Sequence, residues 1–79
     1  MVVVRFSTEK ELYDVVGRNI KKFRLAKGMT QEQLCNQAAI SLSYLGKIEA
    51  PNCHKSISLS ALNQIANALN TDLTSLLKE

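Results

Sequence analysis

Leu12, Val16, Ile20 and Phe23 recur three and four residues apart, the spacing that lays one apolar stripe along a helix. The spacing predicts a first helix that begins after Ser7 or Thr8, carries Glu9 and Glu11 in its first turn, and stops at Gly28. Thr30 then caps a second helix with Glu32 and Gln33 early and Leu34 and Ala38 on one face. Ser41 caps a third with Leu45 and Ile48 turned inward. Between these two there is room for a single turn. Pro51-Asn52-Cys53-His54-Lys55 is a loop by composition. Ser58 or Ser60 caps a fourth helix holding Leu62, Ile65, Ala66 and Leu69, and Asp72 or Thr71 a fifth holding Leu73, Leu76 and Leu77. The pattern is that of an all-α fold of five helices.

The run Val2-Val3-Val4-Arg5-Phe6 stands outside this pattern, because β-branched and aromatic residues favour an extended chain. Two fates are open: a loose tail, or a short strand that pairs with its own copy in a homodimer or packs on the last helix. The second and third helices are too short to bury their apolar faces alone. They must lean on a third element, which leaves the outer face of the helix at about 41–49 free to enter a groove.

The stretch Thr30-Gln31-Glu32-x-Leu34 with Ser41, Tyr44-Leu45 and Ile48-Glu49 resembles the helix-turn-helix of the Xre-type and lambda-type repressor family. Val16-Gly17, Ile20, Phe23-Arg24 and Gly28 extend the likeness before it, and Leu62, Ile65-Ala66, Ala68-Leu69 and Leu73 after it, so it covers roughly residues 16–77. The resemblance implies a lambda-repressor-like DNA-binding domain over 1–79, with 1–8 as an N-terminal arm. Three places depart from the pattern: Cys35 replaces a small Ala, Ala39 the turn Gly, and Ala50-Pro51 a basic residue and Gly. Ala39 matters most, since the turn residue often needs positive φ and local strain is then expected.

The resemblance also implies roles. Residues at the start of the recognition helix and one turn later face base edges, here Ser41, Leu42, Ser43 and Lys47. Lys47 can donate to the O6 and N7 acceptors of guanine, Ser43 can donate or accept, and Leu42 can meet a thymine methyl. Gln31 corresponds to a family Gln that meets a backbone phosphate beside the N–H groups of its helix. Tyr44, Asn52 and Lys55, with His54 the weakest of the group, lie where the helix and its following loop approach the other backbone. Arg24 and Glu49 match a family pair that ties the first helix to the end of the recognition helix and serves orientation.

Charge fits this picture. The formal net charge is +3, and Arg18, Lys21, Lys22, Arg24 and Lys27 follow one another with no acid between Asp14 and Glu32. A run of that kind is a solvated face or, beside a helix-turn-helix, a phosphate-contacting one. At 79 residues the chain is one domain near the lower limit for a single core. With aromatics at 5% and no Trp, that core must be Leu, Ile, Val and Ala.

Other chemistries find little support. Cys35, Cys53 and His54 lack the spacing and the fourth ligand of a zinc site, so no metal or cofactor is expected and the thiols read as reduced. There is no nucleophile beside a base, no defensible carboxylate pair and no phosphate-cradling Gly-rich loop, so the chain does not read as an enzyme. No segment approaches the roughly 20 apolar residues of a membrane span, and the start is too short for a signal peptide; a cytoplasmic protein is expected.

The function that emerges is a sequence-specific, double-stranded DNA-binding transcriptional regulator. One module contacts too few bases for useful specificity, so a homodimer is expected, joined through Leu69, Leu73, Leu76 and Leu77 and in one version through Val2-Phe6, with half-sites roughly 34 Å apart. Two alternatives stay open. One is a protein-interaction module such as an antitoxin-like partner, favoured by the thin readout of Leu42 and Gly46. The other is a restriction-modification controller protein, whose size and pattern are similar.

Overall fold

The computed structural model describes residues 5–51 and 55–78. It contains α1 (Glu9–Ala26), α2 (Gln31–Ala38), α3 (Leu42–Glu49), α4 (Leu59–Ala68) and α5 (Leu73–Leu77), and no strand among the described residues. Each helix opens on a side chain that accepts the backbone N–H three residues on: Thr8 from Glu11, Thr30 from Gln33, Ser41 from Tyr44, Ser58 from Ala61 and Asp72 from Ser75. The caps are thus Thr8, Ser58 and Asp72 where the sequence left pairs of choices. At Thr30 the bond is reciprocal, because the Gln33 side chain also accepts from the Thr30 N–H.

Three helices end in the same way. Gly28, Ala39 and Asn70 adopt φ of 68°, 58° and 53°, and the next residue donates back to a carbonyl five positions earlier: Met29 to Arg24, Ile40 to Cys35, Thr71 to Ala66. Glycine and asparagine suit that left-handed conformation. Ala39 does not, so the strain implied by an Ala where the family pattern has Gly is present at the turn between α2 and α3.

α2 and α4 pack together, α1 covers α3 and α5, and α3 is wedged between α1 and α2. Their shared core is Val16, Ile20, Leu34, Cys35, Ala38, Leu45, Ile48, Leu62, Ile65, Ala66, Leu69 and Leu76. On α1 the buried stripe is shifted from the expected one: Val15, Gly17 and Arg24 are enclosed, while Leu12 and Phe23 lie half-buried at its edge. Asn19 ties α1 to α5 by donating to the carbonyls of Leu76 and Lys78, which satisfies two of the acceptors a helix end leaves open.

The predicted dimer surface needs correction. Leu69 and Leu76 are fully enclosed by the domain's own helices and cannot face a partner. Helical periodicity marks an apolar face without saying what covers it. Leu73 and Leu77 are half-buried at the rim of the same core. Of the N-terminal run, Arg5 is exposed and Phe6 half-buried, and neither is in a strand; Val2, Val3 and Val4 lie outside the described residues. None of the described helices is long and apolar enough to cross a membrane.

Candidate nucleic-acid interface

Helix α3 spans eight residues, too few to hold a fixed direction by itself, so its orientation depends on what grips it. Its inner face is locked by Leu45 and Ile48 in the core. At its start, Ser41 caps the helix while the Cys35 thiol donates to the Ser41 carbonyl at 3.5 Å. Burial pushes the Cys35 thiol up from its ordinary range, which keeps it a neutral donor.

At the far end Arg24 reaches across from α1. Its Nε donates to Glu49 Oε2 at 2.9 Å and its Nη2 to Oε1 at 2.8 Å, while Nη1 donates to the Met29 carbonyl at 2.8 Å. The pair is buried, with 8% and 3% of the two side chains exposed. The hydrogen bond to Glu49 raises the Arg24 pKa further above its already high value, against the opposing effect of burial. The pair implied by the family pattern is therefore real and bidentate.

Two features of this anchor go beyond the sequence expectation. Gln31, at the start of α2, donates its side-chain N–H to Glu49 Oε1 at 3.2 Å, so one oxygen serves both α1 and α2. Gly17 lies against the Ile48 carbonyl, where any Cβ would overlap backbone. Gly17 appeared in the sequence only as part of a family pattern. Its steric reason depends on how closely α1 crosses α3, which no local signal reports.

Outside these contacts the outer face of α3 is open. Leu42 is 46% exposed, and Ser43 and Lys47 are exposed beside it. The Ser41 hydroxyl is exposed but already accepts the Tyr44 N–H. Gly46 has open space where a side chain would sit. Tyr44 packs against the core edge, and the Lys55 ammonium stands 6.0 Å from the centre of its ring, at the limit of a cation–π contact. That places Lys55 beside α3, as expected of a residue in the following loop. Asn52, Cys53 and His54 lie outside the described residues.

Beside the anchor runs an open groove of about 270 Å³. Tyr13, Asp14, Gly17, Arg18 and Lys21 of α1 form one side, and the end of α3 through Pro51 the other. Among the described residues there is no group of three or more His, Cys, Asp or Glu that could hold a metal ion.

Two capped helices joined by a tight left-handed turn, the second clamped at both ends with its outer face free, define a helix-turn-helix domain. The profile of the helix-turn-helix family HTH_3 matches residues 20–76, and the chain belongs to that family. It is 28% identical over 67 residues to the control protein C.SmaI of Serratia marcescens, covering 85% of this chain and 77% of that one. It is 38% identical over 64 residues to the immunity repressor protein of Bacillus phage phi105, covering 81% of this chain but 43% of that protein. Among solved structures it is similar to SinR, a master regulator for biofilm formation crystallised in complex with DNA, with a TM-score of 0.74, 30% identity, and coverage of 80% and 98% of the two chains. The domain is a DNA-binding helix-turn-helix transcriptional regulator of the Xre type.

Proposed function

We propose that this protein reads a specific double-stranded DNA operator as a homodimer, with α3 in the major groove. The observation that carries the reading is the division of α3 into two faces. Its inner face is fixed by Leu45, Ile48 and the buried Arg24–Glu49 pair, and its outer face presents Leu42, Ser43 and Lys47 to solvent. A helix so held can dock as a rigid body, which is what base readout requires.

Lys47 and Ser43 donate to base edges, with Ser41 beside them and Leu42 against a thymine methyl. Gln31, Tyr44 and Lys55 hold backbone phosphates, and Asn52 joins them on chain position alone. The second copy docks through Leu73 and Leu77, the half-buried leucines left after Leu69 and Leu76 enter the core. The protein works in the cytoplasm.

A restriction-modification controller is the narrower reading, favoured by the likeness to the restriction-modification controller protein C.AhdI from Aeromonas hydrophila, 94% of whose chain is covered. The exposed Leu42 favours the second reading, a module that binds another protein. Band shifts with the DNA upstream of its own gene, at moderate salt and against excess unrelated duplex, distinguish them. A site-specific shift of a dimer is expected; no specific shift would leave the protein-binding reading.

A further inference from the structure

The cations of α1 take different fates in the folded chain. Arg24 is committed to Glu49 and Met29, whereas Arg18 and Lys21, three residues apart and on one face, are exposed and line the groove beside the end of α3. The facing wall is Glu49, Ala50 and Pro51. Gly17 forms the close approach: with no side chain between α1 and the Ile48 carbonyl, the two cations are drawn up to the point where α3 terminates.

A recognition helix that meets base edges with its first residues leaves the major groove near its C-terminus, where it passes a sugar–phosphate backbone. Resting on the DNA reading above, we propose that Arg18 and Lys21 grip a backbone phosphate flanking the bases read by α3. This contact is separate from those at Gln31, Tyr44 and Lys55, and it widens the footprint of each protomer. Arginine suits the task because its planar fork meets two phosphate oxygens at once, with lysine adding a second charge.

The surroundings decide what kind of anion the groove takes. The carbonyl end of α3 and the Asp14 carboxylate both disfavour negative charge, while Glu49 is neutralised by Arg24. Asp14 is itself engaged within the chain. A small free anion gains little there. A phosphate already held by the rest of a docked duplex does, since the local charge from Arg18 and Lys21 exceeds that of Asp14.

The test uses the full chain and a duplex that the wild-type protein selects from a random pool, titrated at several salt concentrations. Replacing both Arg18 and Lys21 by Ala should flatten the slope of log affinity against log salt by about 0.9 per bound protomer, the share of the one phosphate they hold, and each single variant should flatten it by part of that. Base preference should not change. Trimming the base pairs that flank the selected site should flatten the wild-type slope by a similar amount and leave the double variant unaffected. Lys10→Ala, an exposed cation outside the groove, should keep the wild-type slope, and inorganic phosphate at millimolar concentration should not bind. Wild-type slopes for both groove variants would overturn the proposal while leaving operator binding intact. A changed preference at one base position would also overturn it, because the cation would then read a base. Failure of the wild-type protein to select any sequence would sink the DNA reading itself, and this contact with it.

Discussion

Arg24 and Glu49 meet in two parallel hydrogen bonds of 2.9 and 2.8 Å, inside the protein and between the first helix and the end of the third. Removing one partner leaves the other charge buried and unpaired. Arg24→Ala or Glu49→Ala should therefore destabilise the fold by about 3 kcal/mol or more in urea denaturation. The double variant should lose less than the sum of the two. Small, additive losses of the size seen for surface pairs would contradict the burial of this contact.

Ala39 carries a left-handed backbone at φ 58°, a conformation that costs an L-residue roughly 1–2 kcal/mol and glycine almost nothing. Ala39→Gly should raise stability by about 1 kcal/mol, less whatever the freer unfolded chain offsets. For a domain of this size that is a melting-temperature rise of several degrees, about 4–8 °C per kcal/mol. A fall in melting temperature would show that the turn carries no strain worth relieving.

Gly17 leaves no room for a methyl group, since the obstructing atom is the Ile48 backbone carbonyl rather than a side chain that can swing aside. Gly17→Ala should cost about 1–3 kcal/mol and push α3 away from α1. Operator affinity, measured where the variant is still fully folded, should fall as well. A variant of unchanged stability would mean that the two helices are free to separate.

The Ser75 hydroxyl, and after it the Ser75 backbone N–H, hold the Asp72 carboxyl below the usual aspartate range. A group depressed in the folded state adds stability above its unfolded pKa of about 3.9, and that stability is lost as pH falls through the folded value. Acidification from pH 5 downward should therefore loosen α5 first, seen as faster amide exchange across Leu73–Leu77. Asp72→Ala should be loosened already at pH 6 and lack that pH step. An identical step in the variant would assign it to another carboxylate.

Much of this architecture was legible in the chain because helix signals are local. Thr8, Thr30, Ser41, Ser58 and Asp72 are short polar side chains at the starts of apolar stripes, and Gly28, the expected stop, follows the end of α1 in a left-handed conformation. Ala39 was identifiable as strained only through the family resemblance, which puts a Gly at that turn. The tertiary facts were less accessible. Leu76 shares the helical spacing of Leu73 and Leu77 on α5, and Leu69 continues the apolar stripe of Leu62 and Ile65 on α4, and spacing alone does not separate a core face from a partner face. Gln31 read as a phosphate ligand, yet its donation to Glu49 depends on where the start of α2 meets the end of α3. The Arg24–Glu49 pair was legible through the family pattern, and its third link, to the Met29 carbonyl, was not.

Base reading by the outer face of α3 is tested most directly at Lys47. Wild-type, Lys47→Ala and Lys55→Ala proteins are titrated against the selected operator and a series carrying one base substitution at a time. Lys47→Ala should lose discrimination at one position of each half-site, worth about 1–3 kcal/mol, while Lys55→Ala should weaken every sequence alike and flatten the salt slope by about one unit per protomer. An even loss across the whole series for Lys47→Ala would contradict base reading there, placing Lys47 on the backbone and leaving specificity to Leu42, Ser43 or the shape of the DNA.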